Sequence, residues 1–164
     1  MNHRVANTAL RTLVWLGAFA WWVYLRKPAG SSFLEIRSGV IGALGLILTA
    51  TGAGLYIWGA LTLSETVPTA LAPPGELLMR GPYRYVRNPL YLAAAAIFAG
   101  VSALYAPWRS ADLLIAGILA TGVHLAVVRL EEPVTRKRFG QEYDEYCRRV
   151  GRWLPRLTVL RRTN

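Results

Sequence analysis

Four apolar runs leave this chain few ways to fold: about 12–25 (TLVWLGAFAWWVYL), 40–63 (VIGALGLILTATGAGLYIWGALTL), 90–108 (LYLAAAAIFAGVSALYAPW) and 112–130 (DLLIAGILATGVHLAVVRL). A helix needs roughly 20 apolar residues to cross about 30 Å of hydrocarbon, and the last three runs reach or approach that length. The first becomes long enough if Ala9 and Leu10 extend it across Arg11, whose side chain can snorkel. Hydrophobic residues make up 54% of the 164 positions, a share that few soluble domains of this size carry. The expected fold is all-α: one polytopic membrane helical bundle over 1–164. It has about four transmembrane helices, at 10–26, 40–63, 90–108 and 112–130, and a cytoplasmic C-terminal amphipathic helix.

Arg4 and Arg11 ahead of the first run also fit a signal peptide. Arg26-Lys27-Pro28 stands where a small-residue cleavage site belongs, so an uncleaved span is the expectation. Charge sets the orientation. With four spans, 15 of the 19 Lys and Arg fall on the side that holds both termini and the 64–89 loop, and four on the other. The positive-inside rule makes the first side cytoplasmic. Trp21, Trp22, Tyr24, Tyr105 and Trp108 lie at the opposite ends of the first and third runs, as an aromatic belt requires.

A net charge of +10 raises the question of nucleic acid. A basic tail beside anionic lipid accounts for it, and with no recognition module in the sequence no nucleic-acid partner is expected. Cys147 is the single cysteine and has no metal-ligand spacing around it, so neither a disulfide nor a metal site is expected.

Function should lie in the two cytoplasmic segments, 64–89 and 131–156. The first holds Pro68, Pro73, Pro74, Gly75, Gly81 and Pro82, which rule out one continuous helix. In the second, Phe139, Tyr143, Tyr146 and Val150 recur at helical spacing, and Pro133 suits a first helical turn after a bend. Within the second span, small residues at 45, 49 and 53, and at 50 and 54, allow close helix packing.

The densest polar stretch is GPYRYVRNPLY, residues 81–91, at the mouth of the third run. Asn88 is a good N-cap and Pro89 a good first helical residue, so a helix should start there with its free N–H groups facing the cytoplasm. Arg84 and Arg87 add to the attraction of such an end for anions. Glu131 and Glu132 sit at the matching end of the fourth span, where a helix C-terminus disfavours negative charge, so a cation should compensate them. Arg84, Arg87 or Arg129 can do so as an ion pair, and a ligand ammonium can do so instead. With Tyr83, Tyr85 and Tyr91 offering ring faces to a cation, the arrangement suits a zwitterion carrying a sulfonium, which describes S-adenosyl-L-methionine.

GPYRYVRNPLYLA, then EE about forty residues on, then FGQEYDEYCRRVGRWLPR, resembles the integral-membrane methyltransferase family of isoprenylcysteine carboxyl methyltransferases and phospholipid methyltransferases. The resemblance covers roughly 75–156. It implies that Gly75, Glu76, Leu77, Leu78, Tyr83, Asn88, Pro89, Leu90, Tyr91 and Glu131, with Glu132 beside them, bind S-adenosyl-L-methionine. Arg87, Glu132 and Arg129 are the residues expected to act at the reaction, Arg87 by orienting the cofactor and Arg129 the acceptor. The acceptor it implies is lipophilic or membrane-associated: an isoprenylcysteine carboxylate, a phospholipid amine or a small thiol. Gly52-Ala53-Gly54 is similar to a GxG element of the phospholipid-methylating branch.

Two positions depart from the family pattern. Asn88 stands where His is usual, so the helix cap is kept while an imidazole is lost. Val127 stands where the carboxyl-methylating branch has an arginine, with Arg129 two residues later, which counts against a prenylcysteine substrate. His124, inside the fourth span, is expected to be a hydrogen-bonded packing residue. Two other functions fit parts of the pattern: a sterol-reductase-like enzyme using NADPH, and a non-catalytic membrane scaffold.

Overall fold

The computed structural model describes residues 39–64, 76–104 and 110–156. The expected first span at 10–26 and the candidate ligand Gly75 lie outside them. Among the described residues the protein is helical, with one isolated parallel bridge, Val86 to Gly151, in place of a sheet. Helix α1 is Val40–Ser64, α2 is Pro89–Leu104 and α3 is Ser110–Ala126. A π-helical turn, Val127–Glu131, carries α3 into α4, Glu132–Phe139, and α5 follows at Gln141–Arg149. Among the described residues two helices are long and apolar enough to cross a membrane, Val40–Leu63 and Leu114–Phe139; Pro89–Leu104 is apolar but shorter.

α1 and α2 pack backbone to backbone because glycine recurs every seven residues on one face of α1. Seven residues are close to two full turns, so Gly45, Gly52 and Gly59 line up. A Cβ on Gly45 would lie 2.8 Å from the Gly100 carbonyl oxygen, one on Gly52 would lie 2.9 Å from that of Ala93, and one on Gly59 would lie 2.9 Å from the Leu90 side chain. Between apolar helices in lipid, such contact supplies the van der Waals attraction that hydrophobic burial supplies in water. Gly52 is therefore a packing residue, while the position of a Cβ on Gly54 is open. The far face of α1, with Val40, Leu44, Ile47, Ile57 and Leu61, is exposed and apolar.

The turn from α3 into α4 differs from the expected bend at Pro133. A proline inside a helix has no N–H to donate, and its ring collides with the carbonyl four residues before it, here Arg129. The chain widens by one residue per turn over Val127–Glu131, with the Glu132 N–H bonded to the Val127 carbonyl, and the helix runs on. The break comes at Gly140 instead, whose φ of 54° suits glycine. The stripe Phe139, Tyr143, Tyr146 and Val150 is thus shared between two helices. It still packs as one cluster, against Leu77 and Cys147, and seats the tail on the 76–88 segment.

Candidate active site

Three pieces of chain converge: the segment leading into α2, the start of α4, and the tail after α5. The segment begins with a turn at Gly81, whose φ is 55° and which lies against Thr62 of α1, followed by a 3₁₀ turn over Gly81–Arg84. Tyr146 reaches from α5 to donate its hydroxyl to the Tyr83 carbonyl at 2.6 Å. Burial pushes the Tyr83 phenol up to about 12, with a smaller contribution from Tyr56, and burial likewise raises Tyr146. Both stay neutral hydrogen-bonding groups at physiological pH.

Asn88 precedes Pro89, the first residue of α2, and its carbonyl accepts from the Leu92 N–H, as an N-cap should. Its side-chain amide donates to the Arg152 carbonyl at 3.3 Å, and the Arg87 N–H donates to the Gly151 carbonyl at 2.8 Å. A strap of tail backbone is thereby laid along the entry to α2.

The adjacent carboxylates have different partners. Glu132 is 8% exposed and lies between two guanidinium groups. Arg152 grips it through Nε at 2.7 Å and a second nitrogen at 2.8 Å, and Arg87 stands 3.1 Å away on the other side. Two guanidinium groups thus surround one buried carboxylate, which leaves the triad with a net positive charge. Arg87 also donates to the Cys147 sulfur at 2.6 Å. Glu131, one residue earlier, accepts the Tyr91 hydroxyl at 2.6 Å. Glu132 thus closes an internal ion triad, and Glu131 is tied to the start of α2.

Expected site residues therefore fall into groups. Glu132 is joined to Arg87 directly and to Asn88 through Arg152, and Tyr91 pairs with the adjacent Glu131. Pro89 is fully buried beneath them, and Leu90 packs on the Gly59 face. Leu77 and Leu78 lie under the tail as packing groups, Leu78 buried and Leu77 against the Tyr143 cluster. Glu76 is exposed, with Arg80 at 3.8 Å. Arg129 is exposed on the π turn, and Val127, where an arginine would stand in the carboxyl-methylating branch, is 1% exposed with no room for a guanidinium. His124 Nδ1 accepts from the Trp153 indole at 3.2 Å, consistent with a hydrogen-bonded role.

Sequence reasoning missed Arg152 and Trp153. Their signal was position: both lie within three residues of the last member of the apolar stripe, Val150, and the next residue but one after Trp153 is a proline.

The match that decides the family covers residues 40–142, well over half the chain, and is to the phospholipid methyltransferase model. The chain belongs to the phospholipid methyltransferase family. Membership agrees with the resemblance drawn from GPYRYVRNPLYLA, the EE pair and the FGQEYDEY stretch. Two curated relatives are similar over 124 residues, 74% of this chain. They are the nickel-cobalt-cadmium resistance protein NccN of Alcaligenes xylosoxydans xylosoxydans, at 35% identity over 51% of its length, and the cobalt-zinc-cadmium resistance protein CzcN of Cupriavidus metallidurans, at 30% over 50%. The chain spans about half the length of these relatives. No solved structure gives a significant match.

Members of this family generally use S-adenosylmethionine, and the donor set suits its amino-acid end. Arg87 Nε is buried without a partner, a donor available to an anion. Glu131 with Tyr91 presents a carboxylate and a ring at the same helix end, suited to a cation.

Proposed function

We propose that this protein is an integral-membrane methyltransferase that moves a methyl group from S-adenosyl-L-methionine to a lipophilic or membrane-associated acceptor. The observation that carries the reading is the Tyr91–Glu131 pair at the start of α2, one residue from a buried triad that leaves Arg87 Nε unpartnered. Bound there, the cofactor supplies an electrophilic methyl on a sulfonium. The chain's own residues orient and shield it: Arg87 and the α2 N–H groups toward the carboxylate, Glu131 and Tyr91 toward the positive charge, Tyr83 and Leu78 as the wall beneath. Arg129, exposed at the end of the apolar run, is placed to meet an anionic acceptor head. A chain crossing the membrane several times with both termini cytoplasmic would present this site to the cytosolic cofactor pool.

Among acceptors, buried Val127 favours a phospholipid amine or a small thiol over an isoprenylcysteine carboxylate. The names of the relatives associate them with resistance to nickel, cobalt, zinc and cadmium. We place this chain's methylated product in the same physiological setting, as a modified membrane component.

Calorimetric titration of the purified protein with S-adenosylmethionine, and separately with NADPH, tests the reading. Saturable binding of the first alone is expected, and Glu131→Ala should abolish it while the thermal transition is retained. Undiminished affinity in that variant would remove Glu131 from the site, and binding of NADPH alone would favour a reductase.

A further inference from the structure

Trp153 is held in place from behind. Gly151 is fixed by the bridge to Val86 and by the Arg87 N–H, and Arg152 by its two hydrogen bonds to Glu132, so the next side chain has little freedom in where it projects. Its indole meets Tyr91 edge-on, with ring centroids 6.5 Å apart and planes at 69°, and lies 6.3 Å from the His124 ring. An indole N–H can only donate, so His124 Nδ1 is the acceptor. Trp153 therefore spans from the first turn of α2 to a point on α3 seven residues before Glu131, about 10 Å along a helix.

The surroundings change character along that distance. At one end the Tyr91 hydroxyl meets Glu131. At the other, the neighbours in sequence of the two bridged rings are apolar and exposed: Leu125 beside His124 and Leu154, 75% exposed, beside Trp153. An amphiphile whose head reaches Tyr91 and Glu131 would run its apolar part past the indole, a ring suited to such a boundary because one end is apolar and the other carries a donor.

We propose that Trp153 is a specificity-determining residue of the acceptor passage: it lines the lateral opening between α2 and α3 and limits the apolar bulk that can pass while the head approaches Glu131. This rests on the methyltransferase reading. The test uses the full chain in bilayer nanodiscs. The fluorescence difference between wild type and Trp153→Phe isolates this one of the six tryptophans. That difference should lose most of its intensity in phosphatidylcholine brominated near the top of the acyl chains and little of it to aqueous iodide. The reverse pattern would overturn the lateral placement.

Trp153→Ala should shift labelled-methyl incorporation about tenfold toward dioleoyl phosphatidylethanolamine over its single-chain lyso form, the scale on which pockets discriminate apolar bulk. Its affinity for S-adenosylmethionine should match wild type. An unchanged ratio, or loss of cofactor binding in this variant alone, would overturn the proposal. Failure of wild type itself to bind the cofactor would sink the methyltransferase reading, and the placement of Trp153 would then stand or fall on the quenching.

Discussion

The ion triad offers a quantitative prediction because its three members are unequal. Glu132 is the only anion between two cations, and the Arg87 and Glu132 side chains are each 10% exposed while that of Arg152 is 30% exposed. Glu132→Gln keeps the shape but leaves two guanidinium groups facing each other without a counter-charge. Removing one partner of a buried pair costs about 3–5 kcal/mol, and the case here belongs in that range. Arg152→Met removes two charged hydrogen bonds but leaves Arg87 at 3.1 Å to neutralise the carboxylate, so the loss should be smaller, about 1.5–3 kcal/mol. With Glu132 already Gln, removing Arg152 relieves repulsion, and the double variant should be no less stable than Glu132→Gln alone. The assay is reversible unfolding in mixed micelles of dodecyl maltoside and dodecyl sulfate, followed by circular dichroism. Two outcomes would refute the reasoning: Arg152→Met as costly as Glu132→Gln, or losses that add within about 0.5 kcal/mol, the behaviour of independent sites.

Other consequences of the same architecture can be measured with that assay. Tyr146→Phe removes the hydroxyl bonded to the Tyr83 carbonyl and should cost about 1–3 kcal/mol, with the tail helix showing faster amide exchange. Gly52→Val places a Cβ 2.9 Å from the Ala93 carbonyl and should force α1 from α2, whereas Gly54→Ala, with open space at the same atom, should be nearly silent.

How much of this was legible beforehand depended on whether a feature was local. The start of α2 at Asn88-Pro89 follows from capping chemistry contained in two neighbouring residues. The stripe from Phe139 to Val150 follows from helical periodicity, and survives the break at Gly140 because packing against Leu77 needs the faces aligned and not one continuous helix. The pairing of Glu132 with Arg152 was not legible, since twenty residues and a change of direction separate them and nothing in the order of residues marks which of many arginines turns inward. The division of labour between Glu131 and Glu132 was hidden for a related reason. Adjacent side chains on a helix point about 100° apart, and only the π turn at Val127–Glu131 fixes which one faces Tyr91.

The strap formed by Gly151 and Arg152 also bears on biosynthesis. Chains leave the ribosome from the N-terminus, and apolar segments enter the bilayer as they emerge. Val40–Leu63, Pro89–Leu104 and Leu114–Phe139 are all synthesised before Arg152 exists, so Glu132 waits with Arg87 alone and the entry to α2 stays uncovered until the last helix has been made. The apolar helices are therefore made before the triad can close. A nascent chain stalled ahead of Arg152 would hold all three apolar helices yet lack both the second guanidinium of the triad and the strap across the start of α2.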